Sequence, residues 1–200
     1  MLQGIFDSIY KKGADMKKII FFISLMLSVL FFACQNKNEQ PASKTNETAM
    51  KKDTSKVAMD STFLDAAAQG GIMMVQLGNI AEKKAHNKEI KDFANMMISD
   101  HSKINDELKS LAQKNNINLP DSPGKDKQDK INDLEKLSGR KFEKQYVDMM
   151  AEDHENDVAK FKEESQSAVS PEVRQWAAET LPTLQKHLDK IKEIQKKYRF

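Results

Sequence analysis

The sequence predicts an all-α protein: a four-helix bundle with a short extra helix in the connection between helices two and three. Two observations carry that expectation. From about residue 60 onward, apolar residues recur at 4-3 spacing in long stretches, which is the period of a helix seam. Strand signals, meaning alternating β-branched runs closed by Asn-Gly or Asp-Gly, do not occur.

The N-terminal third reads differently. Met16-Lys17-Lys18 leads into an apolar run of 15 residues, IIFFISLMLSVLFFA, ending at Ala33. A membrane span needs roughly 20 apolar residues, so residues 1–33 are read as a secretory signal peptide, with 1–15 upstream of a better start at Met16. The run ends at Leu30-Phe31-Phe32-Ala33-Cys34, a small residue before the only cysteine, which resembles a bacterial lipoprotein cleavage site. The alternative is an uncleaved anchor with an incidental cysteine. Residues 34–58 are then lipidated Cys34 and a polar tether, which lacks the apolar residues needed to offset its ordering entropy. A lipid on Cys34 makes the membrane the expected partner. The expected address is the bacterial cell envelope, on the outer membrane facing the periplasm, since no acidic run follows the cysteine.

Residues 59–200 form the bundle. Helix one begins near Asp60-Ser61-Thr62 and runs to about Lys84, turning Leu64, Ala67, Gly71, Met74, Gly78 and Ala81 inward. Asn87 is the expected N-cap of helix two, whose seam is Ile90, Ala94, Met97, His101, Ile104, Leu108 and Leu111. Prolines and a glycine make residues 118–127 a loop, and 128–138 a short helix stopped by Gly139. Helix three covers roughly 140–166, with Phe142, Tyr146, Val147, Met150, His154, Val158 and Phe161 inward. Ser170-Pro171 opens the last helix, whose seam is Val173, Ala177, Thr180, Leu184, His187, Ile191, Ile194 and Tyr198. Pro182 lies inside that helix, where a bend is expected.

Composition removes several function classes. The chain carries 32 basic and 30 acidic residues, but residues 1–33 hold Lys11, Lys12, Lys17, Lys18, Asp7 and Asp15. The mature chain therefore has 28 of each, and nothing points to nucleic acid. With Cys34 lipidated no thiol remains, which excludes disulfides, thiolate metal sites and cysteine nucleophiles.

The chain has four histidines, and two stand in matching phrases: MMISDH at 96–101 and MMAEDH at 149–154. His101, His154 and His187 each take an inward seam position near the middle of a different helix, so they are expected to converge on one layer. His86 falls in a turn and is expected in solvent. Two solutions satisfy imidazoles in an apolar seam. One is a hydrogen-bonded polar layer using Asp100, Asp153, Asp157, Asn105 or Gln76. The other is a cation on neutral His101, His154 and His187, oriented by those same residues from behind. Thioethers such as Met74 would suit copper(I), although methionine is also a common core filler.

The pattern Gly70-Gly71, Val75, Leu77-Gly78, Phe93-Ala94, Asp100-His101, Leu108 and Leu119-Pro120 resembles the domain of unknown function 4142 family. The second half agrees at Leu137-Ser138-Gly139, Phe142, Tyr146, His154, Trp176-Ala177, Leu181-Pro182, Leu184 and His187-Leu188. That resemblance implies an exported bacterial protein with a ferritin-like bundle, and no established reaction. Relatives tend to carry two acids in the first helix where this chain has Met74 and Gln76.

Catalytic signatures are missing. Three residues before the inward histidines stand Ile98, Ala151 and Leu184, so no Glu-x-x-His di-iron pair exists. His154-Glu155 lacks the second histidine of a zinc protease, because Val158 stands there. No nucleophile elbow occurs. The leading reading is a membrane-tethered envelope lipoprotein with a non-catalytic bundle in a binding or structural role. The alternative is a periplasmic protein that sequesters or oxidises copper, zinc or iron on its histidine cluster.

Overall fold

The computed structural model describes residues 45–198, with side chains from Asp60 onward. The signal peptide and Cys34 expected from the sequence lie outside the described residues. Among the described residues the protein is all-α, with five helices: α1 (Thr45–Lys84), α2 (Lys88–Lys114), α3 (Lys125–Glu135), α4 (Gly139–Ser167) and α5 (Pro171–Tyr198). None of these helices is long and apolar enough to cross a membrane.

Helix boundaries follow local chemistry. The Asn87 side chain accepts from the amides of Glu89 and Ile90, which satisfies two of the orphan donors at the start of α2. Asn116, at φ 55°, ends that helix in the left-handed region that Asn tolerates. Gly139, at φ 56°, is the first residue of α4 and takes the left-handed conformation that glycine tolerates. The Ser170 hydroxyl accepts from the Val173 amide, with Pro171 in the first helical position. Helix α5 is unbroken through Pro182.

Two boundaries differ from expectation. The stretch expected to be tether is helical from Thr45 onward. TNETAMKKDTSKVA contains neither proline nor glycine, and its Glu, Ala, Met and Lys are good helix formers. Polarity denies that stretch a core of its own, but it does not prevent continuation of a helix nucleated downstream. Helix α3 starts at Lys125, because Gly124 at φ 75° supplies the turn immediately before it.

Helices α1 and α2 form one antiparallel pair, and α4 and α5 another; α1 also packs on α4, and α2 on α5. The direction of α4 relative to α2 is set by contacts at three heights. Glu143, in the second turn of α4, accepts from the amides of His86 and Asn87 at 2.8 Å each. Phe93 meets Tyr146 edge-on with centroids 6.3 Å apart, and His101 meets His154 at 5.6 Å. Both ring pairs are 53 residues apart in sequence, so α2 and α4 run parallel and in register. The connection containing α3 therefore returns the chain along the length of the molecule. The opposite end is tied by Asp60, whose carboxylate accepts from the amides of Val169 (2.8 Å) and Ser170 (2.6 Å).

The core has two apolar halves. One holds Met73, Leu77, Phe93, Met97, Phe142, Tyr146, Met150 and Ile191; the other holds Phe63, Leu64, Ile104, Leu108, Phe161, Trp176 and Leu184. The level between them is occupied by His101, His154 and His187. Helix α1 packs on α2 through Gly71, where the Asn105 side chain, one turn past His101, fills the space over the glycine. A Cβ at Gly78 would stand 2.8 Å from Ile98 Cγ1 and 3.0 Å from the Ala94 carbonyl oxygen, so α1 and α2 touch backbone to backbone there.

Replacing Gly70 by Ala, where a Cβ meets nothing within 4 Å, should stabilise the protein by about 0.5–1 kcal/mol through helix propensity. Gly78→Ala should destabilise it by about 1 kcal/mol, because overpacking outweighs the same propensity gain. Urea unfolding of both variants checks the contrast; equal effects would contradict the close approach at Gly78.

Candidate metal centre

His101 is 3% exposed, and His154 and His187 are fully buried. One nitrogen from each ring lies within 4.8 Å of the other two. His101 Nε2 and His154 Nε2 are 3.5 Å apart, and His187 lies 5.3 Å from each of the other rings, centroid to centroid. The three histidines expected to converge are brought together. His86 is exposed, as its place in a turn implies.

Hydrogen bonding fixes two of the tautomers. His154 Nδ1 is 2.8 Å from the Met150 carbonyl oxygen, which can only accept, so Nδ1 carries the proton and Nε2 is a lone pair. His187 Nε2 donates to Asp100 Oδ2 at 2.8 Å, which leaves Nδ1 as the lone pair. That Nδ1 is buried and has no protein partner. A histidine held from behind by a carboxylate, with its other nitrogen bare, is the arrangement that second-shell carboxylates impose on metal-ligating imidazoles.

Protonation is opposed throughout. Burial holds His101 well below the ordinary histidine range, with further lowering from His154 and His187. Burial, with help from His187, pushes His154 down to about 4. His187 is lowered by burial, against the pull of the Asp100 carboxylate. All three rings are therefore neutral at pH 7, the form in which imidazole binds metal.

The other candidates fall in varied places. Asp100 sits behind His187, as described. Asp153 is bridged to Lys130 of α3 at 3.6 Å, with Oδ2 buried and unpaired. Asp157, one turn on, shares with Asp153 a cavity of about 220 Å³ lined also by Gly70, Met73, Met74 and Lys127. Asn105 rests on Gly71, one turn past His101. Met74 is buried in the core, and Gln76 is half-buried. Burial and the neighbouring Asp153 push Asp157 up to about 7. Sequence reasoning did not single out this acidic cavity as a unit. Its signal was the four-residue spacing of Asp153 and Asp157 opposite lysines of α3.

The fold has a counterpart among known proteins. A model of the family described as "Domain of unknown function (DUF4142)" matches residues 43–194. The chain belongs to the DUF4142 family. Among solved structures, a DUF305 fragment from Deinococcus radiodurans is similar, with a TM-score of 0.59 at 13% identity. The match covers 68% of this chain and 93% of that one, and it shows a common fold. No curated protein matches the chain.

The pH response follows from two opposed groups. His154 binds its proton only near pH 4 when folded but near 6.5 when unfolded, so the stability it contributes is present above pH 6.5 and lost as pH falls toward 4. Asp157 works the other way: its folded affinity for protons is raised, so stability is lost as pH rises through about 7. Asp157→Asn should therefore raise the melting temperature at pH 8, and the gain should shrink as the pH is lowered to 5. A gain independent of pH would contradict a half-buried Asp157 that titrates near neutrality.

Proposed function

We propose that this DUF4142 protein is a lipid-tethered component of the bacterial cell envelope whose ferritin-like four-helix bundle holds one transition-metal ion on His101, His154 and His187. The role is binding rather than catalysis. The observation that carries the reading is the bare, buried Nδ1 of His187, whose other nitrogen is pinned by Asp100. In a metal-free polar layer, His101 Nε2 can donate across 3.5 Å to His154 Nε2, but His187 Nδ1 is left without a protein partner. A buried acceptor left unpaired costs about 1–3 kcal/mol. An ion among the three rings gives all three lone pairs a partner.

The ferritin-like reading is supported by the parallel course of α2 and α4, with a long crossover between two antiparallel pairs. The tether rests on the apolar run ending at Cys34. A binding role is favoured over oxidation because the inward glutamates of a di-iron site are absent, with Met74 and Gln76 in the first helix.

The test uses the full chain in detergent with Cys34→Ser, so that the thiol takes no part. Metal content after exposure to Zn(II), Cu(I) or Fe(II) should reach one ion per chain for at least one of them. A ligand at 100 times its Kd should add about 2.7 kcal/mol of stability. His187→Gln, checked for folding by circular dichroism, should abolish both effects. Asp100→Ala should weaken retention by roughly 10–100-fold. A wild-type chain that takes up none of the three metals and does not shift in melting contradicts the proposal.

A further inference from the structure

We infer that the centre is built for a monovalent soft ion, copper(I), in three-coordinate geometry; this rests on the metal-binding reading above. The first argument is the number and kind of donors. The group that converges comprises three imidazole nitrogens, with no carboxylate oxygen among them. Zinc in protein sites is almost always four-coordinate, and iron and manganese sites lean on carboxylates. Copper(II) prefers tetragonal sets with four or more donors. Three neutral nitrogens meet the needs of a closed-shell monovalent ion.

Spacing puts the donors within reach of one ion: His101 Nε2 and His154 Nε2 are 3.5 Å apart, and one nitrogen from each of the three rings lies within 4.8 Å of the others.

Charge and surroundings separate the candidates further. The cost of burying an ion grows with the square of its charge, so a divalent ion here is about four times as costly to desolvate as a monovalent one. The first ligand set carries no charge to offset it. One carboxylate, Asp100, stands directly behind a ligand and balances a single positive charge. The rings are at most 3% exposed, so a solvent-derived hydroxide, the usual fourth partner of a three-histidine zinc, has little access. One turn before His101 and His154 lie Met97 and Met150, both fully buried, which line that side with uncharged, polarizable thioethers. Each of these features disfavours a hard or divalent ion, and together they describe a dry, neutral, soft-walled trigonal socket.

The test is an anaerobic competition on the full chain in detergent with Cys34→Ser. Cu(I) is titrated against a chromophoric Cu(I) chelator, and Zn(II) and Co(II) are titrated separately. The expected result is one Cu(I) per chain, an X-ray absorption spectrum fitted by three nitrogen scatterers, and at least 100-fold weaker binding of Zn(II). His101→Gln and His187→Gln should each lower Cu(I) affinity by 100-fold or more, while Met96→Leu, on the half-buried flank, leaves it unchanged. Zn(II) held by the same histidines as tightly as Cu(I), or a fourth oxygen ligand in the spectrum, overturns the copper(I) inference and leaves the metal centre standing. Cu(I) retained by the histidine variants overturns it as well, since copper would then sit elsewhere. Failure to bind any metal removes the reading on which it rests.

Discussion

Burying an imidazole among Leu, Met and Phe side chains leaves two ring nitrogens to be satisfied, and this core buries three such rings at one level. Met150 and Asp100 take one nitrogen each from His154 and His187, which leaves His154 Nε2 and the buried His187 Nδ1 as the lone pairs. Burial between the apolar halves opposes protonation of the imidazoles, so the rings stay neutral. The arrangement of the three rings follows from that one constraint on hydrogen bonding.

The fold supplies the constraint by running α2 and α4 in the same direction. A simple up-and-down arrangement would reverse one of the two matching phrases and separate the partners on either side of each histidine. The crossover through α3 instead places Phe93 beside Tyr146 and His101 beside His154, with Met97 and Met150 at one height between them. Helix α5 completes the layer from its own hairpin with α4. Helix α1 comes close to α2 at Gly71 and Gly78, which lie against Asn105 and against Ala94 and Ile98, on either side of that level.

Much of this was legible in the residues. Asn87, Ser170-Pro171 and the 4-3 seams marked the long helices because caps and seams are local signals. Their inward histidines followed from periodicity alone. The parallel course of α2 and α4 was hidden because the connecting segment, from Asn115 to Ser138, is polar and its path depends on tertiary contacts such as the Lys130–Asp153 ion pair. The division of labour among the acids was hidden for the same reason. Asp100 and Asp153 occupy equivalent positions in the repeated phrase, yet one faces His187 and the other faces α3. No one-dimensional pattern distinguishes them. The early start of α1 at Thr45 lay in a stretch whose polarity argued against a core and was silent about helix.

The most direct measurement is the tautomeric state of the three rings in the metal-free protein, read by proton–nitrogen correlation of the imidazole nitrogens at pH 7. The account requires all three to be neutral, with His154 protonated at Nδ1 and His187 protonated at Nε2, so that His154 Nε2 and His187 Nδ1 report bare lone pairs. Finding His187 protonated at Nδ1, or any of the three as imidazolium, would contradict it.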